Sequence, residues 1–130
     1  MEREMVLYFV VNPLPIRVLM SLMIVRMTKN SSATSNGKNW VVWREGEESV
    51  LCLWNGSTIQ KIPFSEYSFF FDINNNGFIA WSAWSDEKEG GVFLWDGKTI
   101  RKIVDSNSPG PIKINDKNHI AWSEGDGIYF

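Results

Sequence analysis

One cysteine and one histidine are all the thiol and imidazole in these 130 residues. A single cysteine, Cys52, excludes an intrachain disulfide framework. A cysteine nucleophile needs a base to form thiolate, and His119 stands in a different stretch of the chain. Cys52 lies inside the apolar run Val50–Trp54 and is read as a small buried hydrophobe. Clustered basic charge is also missing. The net charge is −2, divided as +2 over residues 1–30 and −4 over 31–130, which gives no electrostatic footprint for nucleic acid. No long apolar run is present either. Met5–Val11 and Val18–Val25 are separated by Asn12, Pro13, Pro15 and Arg17. A spanning helix needs about twenty apolar residues, and an arginine near its centre costs roughly 2.5–3.5 kcal/mol, so a clean transmembrane helix is a poor reading. Beyond residue 30, no stretch of about ten residues carries helical periodicity.

What is present is a repeat. Leu94-Trp95-Asp96-Gly97-Lys98-Thr99-Ile100-Arg101-Lys102-Ile103 echoes Leu53-Trp54-Asn55-Gly56-Ser57-Thr58-Ile59-Gln60-Lys61-Ile62 at a step of 41. Ile79-Ala80-Trp81-Ser82 returns as Ile120-Ala121-Trp122-Ser123 at the same step, and Val41-Val42-Trp43 stands 38 residues earlier. A period of roughly 40–45 residues built from short strands and aromatic turns is the signature of a β-propeller blade. The apolar fraction of 44% is ample for a packed core and excludes disorder.

The most complete copy predicts four strands. Ser68–Ile73 runs into the turn cluster Asn74-Asn75-Asn76-Gly77, and Phe78–Ser82 follows. Asp86–Gly91 reads as a charged hairpin loop, Val92–Trp95 as the third strand and Thr99–Ile103 as the fourth. Asp96-Gly97 is a strong hairpin signal, with both residues expected at positive φ. The first copy offers Trp40–Trp43, Ser49–Trp54 and Thr58–Ile62, with no evident strand before Trp40. The third offers Ile112–Asn115, His119–Ser123 and Gly127–Phe130. An isolated sheet has two faces to cover, and stacking successive sheets buries both. Trp43, Trp81 and Trp122, with Trp54 and Trp95, are accordingly expected between blades.

Asp72-Ile73-Asn74-Asn75-Asn76-Gly77-Phe78-Ile79-Ala80-Trp81, followed by Gly91-Val92-Phe93-Leu94-Trp95-Asp96-Gly97, resembles the tandem repeats of bacterial TolB-like extracytoplasmic β-propellers. The resemblance covers roughly residues 31–130. It implies a secreted or envelope-associated setting and a propeller used as an interaction platform. The third copy departs from the pattern, with Lys113 where the second has Asp72. No catalytic motif of that group matches this chain.

The candidate chemistry is sparse. Asp72 to Gly77 matches the first half of a calcium loop, but the ninth and twelfth positions are Ala80 and Ala83. The equivalent turn places Lys117 among the ligands, so an Asn-rich structural turn is preferred and no metal or cofactor is expected. His119 aligns with Phe78 and Trp40 and reads as a strand-packing residue. The acids Glu45, Glu47, Glu48, Asp86, Glu87 and Glu89 sit in equivalent hairpin loops and read as solvated. Trp84 has no counterpart in the other copies and is the one candidate contact for a partner or glycan.

These readings predict an all-β chain of four-stranded antiparallel blades in an incomplete propeller ring. Residues 1–30 form a hydrophobic and basic extension or signal-like segment, with Val18–Val25 as its apolar core and Ser31-Ser32-Ala33 as the small-residue site. Residues 31–130 form the partial propeller, with blades at about 31–66, 67–106 and 107–130. Because the third copy stops within a strand, a truncated frame or a blade completed by another chain is expected. The expected role is non-enzymatic interaction or scaffolding, as a segment of a larger protein. The expected partner is a protein or the remainder of the propeller, with self-association through open blade faces. A carbohydrate-binding propeller and the accessory propeller of a larger hydrolase are the alternatives.

Overall fold

Short β-branched and aromatic runs punctuated by Asn, Asp and Gly fold here as strands and tight turns. The computed structural model describes residues 5–8, 24–27, 33–86 and 89–130, and no helix occurs among them. Strands β1 (Met5–Tyr8) and β2 (Ile24–Met27) pair antiparallel as a separate two-stranded ladder. The remainder of the signal-like segment proposed for residues 1–30, with its Ser31-Ser32 site, lies outside the described residues, as does Glu87 of the second hairpin loop.

Three antiparallel sheets follow. The first orders β3 (Ala33–Ser35), β4 (Val41–Glu45), β5 (Val50–Trp54) and β6 (Ile59–Lys61) as a meander. The second repeats it with β7 (Ser68–Ile73), β8 (Ile79–Ala83), β9 (Gly91–Trp95) and β10 (Ile100–Asp105). The third contains β11 (Ile112–Ile114), β12 (Ile120–Glu124) and β13 (Gly127–Tyr129). The first sheet therefore has the leading strand that its sequence did not announce. Ala33-Thr34-Ser35 has no apolar alternation and is held in place by pairing with Trp43, Val42 and Val41.

Register assigns the faces. Val42 opposes Leu53 and Arg44 opposes Leu51, so these four side chains share one face of the first sheet. On the other face stand Val41, Trp43, Cys52 and Trp54, all buried. Val42, Leu51 and Leu53 pack on Ile73, Ile79, Trp81, Ala83, Phe93 and Trp95 of the second sheet. Trp81 stacks on Phe93 with ring centroids 5.6 Å apart. Arg44 reaches across the same seam and donates to the carbonyl of Phe69 at 3.2 Å. The opposite face of the second sheet, with Ala80, Val92 and Leu94, packs on Ile112, Ile114 and Trp122 of the third. Trp81 and Trp122 thus lie between sheets as expected, while Trp43 occupies the equivalent position on the face of the first sheet turned away from the second.

The expectation for the Asp96-Gly97 turn needs correction. The Trp95–Ile100 connection is a four-residue loop, in which Gly97 is left-handed (φ 97°) and Asp96 is not. Asp96 instead caps the loop, its carboxylate accepting the N–H groups of Lys98 and Thr99 at 2.9 and 2.8 Å. That capping holds its carboxyl below the usual carboxylate range, with the Thr99 backbone bond the largest cause. Asn55 makes the same cap in the first sheet. The aromatic run Phe69-Phe70-Phe71 is divided between solvent and core. Register shifts between Ser68 and Phe70, which leaves Phe69 and Phe70 exposed while Phe71 packs on the core between the first two sheets.

Candidate interaction surface

The turns between the first and second strands of each sheet form one connected device. Asn36, Asn74 and Asn115 hold equivalent positions, and each side-chain oxygen caps its own turn. Asn36 Oδ1 accepts from the N–H groups of Lys38 and Trp40 at 3.0 and 2.9 Å. Asn74 Oδ1 accepts from Asn76 and Phe78, and Asn115 Oδ1 from Lys117 and His119, at the same distances. The residue three places on is left-handed in every case: Asn39 at 62°, Gly77 at 81° and Asn118 at 65°. Asparagine and glycine accept that geometry at the least steric cost.

The side-chain nitrogens then tie sheet to sheet. Asn36 Nδ2 donates to the carbonyl of Asn74 at 3.0 Å, and Asn74 Nδ2 donates to the carbonyl of Asn115 at 2.9 Å. A parallel rung runs beside it: Gly37 N–H donates to Asn75 Oδ1 at 2.5 Å and Asn75 N–H to Asp116 Oδ1 at 2.8 Å. Asp72 adds a third link by accepting the Ile114 N–H at 3.0 Å. The aromatic that follows each of the first two turns leans the same way. A Cβ built on Gly77 would lie 2.6 Å from the Trp40 ring, and Phe78 packs on the core between the second and third sheets.

The side chains of the calcium-loop match are therefore used structurally. Asp72 and Asn74 point their oxygens at backbone N–H donors, and among the described residues no group of three or more His, Cys, Asp or Glu could hold a metal ion. Cys52 is buried, its Sγ 3.4 Å from Glu45 Oε2. Burial and that carboxylate push its thiol up to about 12, far from a thiolate nucleophile at neutral pH. His119 is not brought near it: Cys52 sits on the away face of the first sheet and His119 at the turn of the third. The histidine is exposed rather than packed, with Nδ1 3.4 Å from Asn115 Nδ2. Trp84 follows β8 and is 39% exposed, its ring edge lying against Gly90. Glu45, Glu47, Glu48, Asp86 and Glu89 are exposed.

An apolar surface lies at the far side of the third sheet. Trp122 opposes Tyr129 as Trp81 opposes Phe93, so Ile128 and Phe130 stand where Val92 and Leu94 stand. Val92 and Leu94 are 0% and 4% exposed, whereas Ile128 and Phe130 are 75% and 98% exposed. Ala121, at the position of the fully buried Ala80, is only half-buried. The surface that is core in two sheets is solvent-facing in the third.

The chain matches no family model, no curated protein and no solved structure.

Proposed function

We propose that this chain is a segment of a β-propeller that serves as a non-enzymatic interaction scaffold. The observation that carries the reading is the asparagine ladder, which fixes equivalent turns of successive sheets to one another through the same bonds. The leading strands support it. Residues of β3, β7 and β11 gather around one small cavity of about 210 Å³, lined by Ala33, Thr34, Phe71 and Ile112, as innermost strands converge on a propeller axis. The TolB-like resemblance and the extracytoplasmic setting it implies belong to this proposal. So does the role of an open apolar face as the working surface.

Hydrogen exchange on the full chain, with and without an envelope extract of the cells that produce it, tests the reading. Protection confined to β11–β13 and the third turn is the expected result. No protection anywhere in the chain would refute it. The exposed Trp84 ring favours a carbohydrate-binding module as the second reading. Glycan-array binding lost in Trp84→Ala would put that reading in first place.

A further inference from the structure

We propose that Asn55 is a self-modifying site, where the chain converts its own side-chain amide to a carboxyl with water as co-reactant. The Gly56 nitrogen loses its proton to solvent base and bonds to Asn55 Cγ. The Cγ–Nδ2 bond then breaks, and Nδ2 leaves as ammonia after taking a proton back. Water opens the resulting cyclic imide at either of its carbonyls. Opening at Cγ gives aspartate in a normal main chain. Opening at the main-chain carbonyl gives isoaspartate, whose backbone runs through Cγ. One water enters, one ammonia leaves, and nothing is oxidised or reduced.

The chain has three Asn-Gly pairs, and the fold separates one of them from the other two. At the first pair, Gly37 N–H donates to Asn75 Oδ1 at 2.5 Å and Asn36 Nδ2 to the Asn74 carbonyl at 3.0 Å, so nucleophile and leaving group are both engaged. At the third, Gly77 N–H donates to the Asn74 carbonyl at 3.1 Å and Asn76 Nδ2 to the Asp116 carbonyl at 2.8 Å. Neighbours also crowd both glycines. A Cβ built on Gly37 would lie 2.7 Å from Asn75, and one built on Gly77 would lie 2.6 Å from Trp40. Neither constraint operates at Asn55. Gly56 N–H and Asn55 Nδ2 donate to nothing among the described residues, and a Cβ built on Gly56 would meet nothing within 4 Å. Asn55 Oδ1, in contrast, is held. It accepts the N–H groups of Ser57 and Thr58, both at 3.0 Å, and those donors stabilise the oxyanion that forms there on attack. Asn76 Oδ1 has no such donors among the described residues. Asn55 alone combines a free nucleophile, a free leaving group and a stabilised oxyanion.

The second sheet already contains the aspartate product. Asp96, followed by Gly97, caps the equivalent loop with the same two N–H contacts, so aspartate at position 55 keeps the turn. Isoaspartate adds a methylene to the main chain within the turn and displaces the capping oxygen. That loosens β6, which is exposed throughout and pairs only with β5.

The test incubates the full chain at pH 8 in heavy-oxygen water, folded and in concentrated urea, followed by digestion in ordinary water. Mass spectrometry then reads the tryptic peptides 30–38, 45–61 and 62–88, each of which carries one Asn-Gly pair. Opening two hydrogen bonds before cyclisation slows a site by about 10-fold or more, so folded Asn55 should take up label at least about 10-fold faster than Asn36 or Asn76. In urea the three rates should converge. Asp96→Asn places the same pair in the same turn, and peptide 89–98 should then label as fast as 45–61. Labelling of folded Asn36 or Asn76 at the rate of Asn55 overturns the inference. So does an Asn55 that labels in urea but not in the folded chain, or a folded Asp96→Asn chain whose new pair stays intact.

Discussion

Replacing Asn74 by aspartate should cost the protein about 3 kcal/mol, and the reason lies in one atom. Asn74 Oδ1 accepts two N–H groups of its own turn, a task that Asp96 performs equally well in a different turn. Aspartate therefore preserves the turn. What it removes is Nδ2, which donates to the Asn115 carbonyl at 2.9 Å and to Asn118 Oδ1 at 2.6 Å. Each lost bond is worth about 1 kcal/mol net, and a buried carboxylate oxygen left facing two acceptors adds roughly another 1 kcal/mol or more. For a chain of this length, that lowers the melting temperature by about 10 °C. Asn36→Asp loses a single donor bond and should cost about 1 kcal/mol, while Asn115→Asp should stay within about 0.5 kcal/mol. Urea titrations of the three variants followed by tryptophan fluorescence check the order. Acidification offers an internal control. The introduced carboxyl faces carbonyl oxygens, which raises its folded-state pKa. Its penalty is therefore present above that raised pKa, shrinks as pH falls through it and is relieved by about pH 4, where the neutral acid has regained an O–H donor. Equal costs at all three positions, or a penalty at Asn74 that ignores pH, would refute the ladder as an energetic link between sheets.

Trp81→Ala should cost about 3–5 kcal/mol by calorimetry, because it empties a fully buried site stacked on Phe93; Trp122→Ala should cost less, since Trp122 is 9% exposed where Trp81 is 0%. Cys52 should resist alkylation at pH 8 until the chain unfolds. Its folded pKa is raised from 9.0 to about 12, so its contribution to stability is complete below pH 9 and is lost as pH rises toward 12; Cys52→Ala should abolish that alkaline slope in pH-dependent urea melts. Asp96 has a depressed pKa, so its contribution is present above the ordinary carboxylate range and fades as pH falls through the folded value. Asp96→Asn, which copies Asn55 of the first sheet, should retain the turn and flatten the acid limb of the same melts.

The repeat period alone made the four-strand order of the second sheet and the inter-sheet placement of Trp81 and Trp122 legible. The strand that escaped, Ala33–Ser35, is polar and three residues long. Its identity comes from the neighbour it pairs with, and a pattern search along one strand cannot see a neighbour. The ladder escaped for a different reason. Asn36, Asn74 and Asn115 keep the repeat spacing of 38 and 41, so the signal was in the sequence. Asparagine is so common in turns that its local role hides a long-range one. Exposure of Ile128 and Phe130 was not legible from their residue types, because Val92 and Leu94 are equally apolar and entirely buried. Only the order of the sheets separates the two pairs.

Trp43, Trp81 and Trp122 each bury an indole Nε1 with no hydrogen-bond partner. Such a donor ordinarily costs about 1–3 kcal/mol. Here the omission recurs at the same position of every copy, which makes it a property of the tandem unit rather than an accident of one site. In a stacked array, energies add unit by unit, so the burden grows with the number of copies and a remedy multiplies in the same way. Phenylalanine at this position in an idealised unit would delete one orphaned donor per copy. The same substitution vacates part of a buried indole site, and the balance of the two effects, whichever its sign, multiplies with the number of repeats.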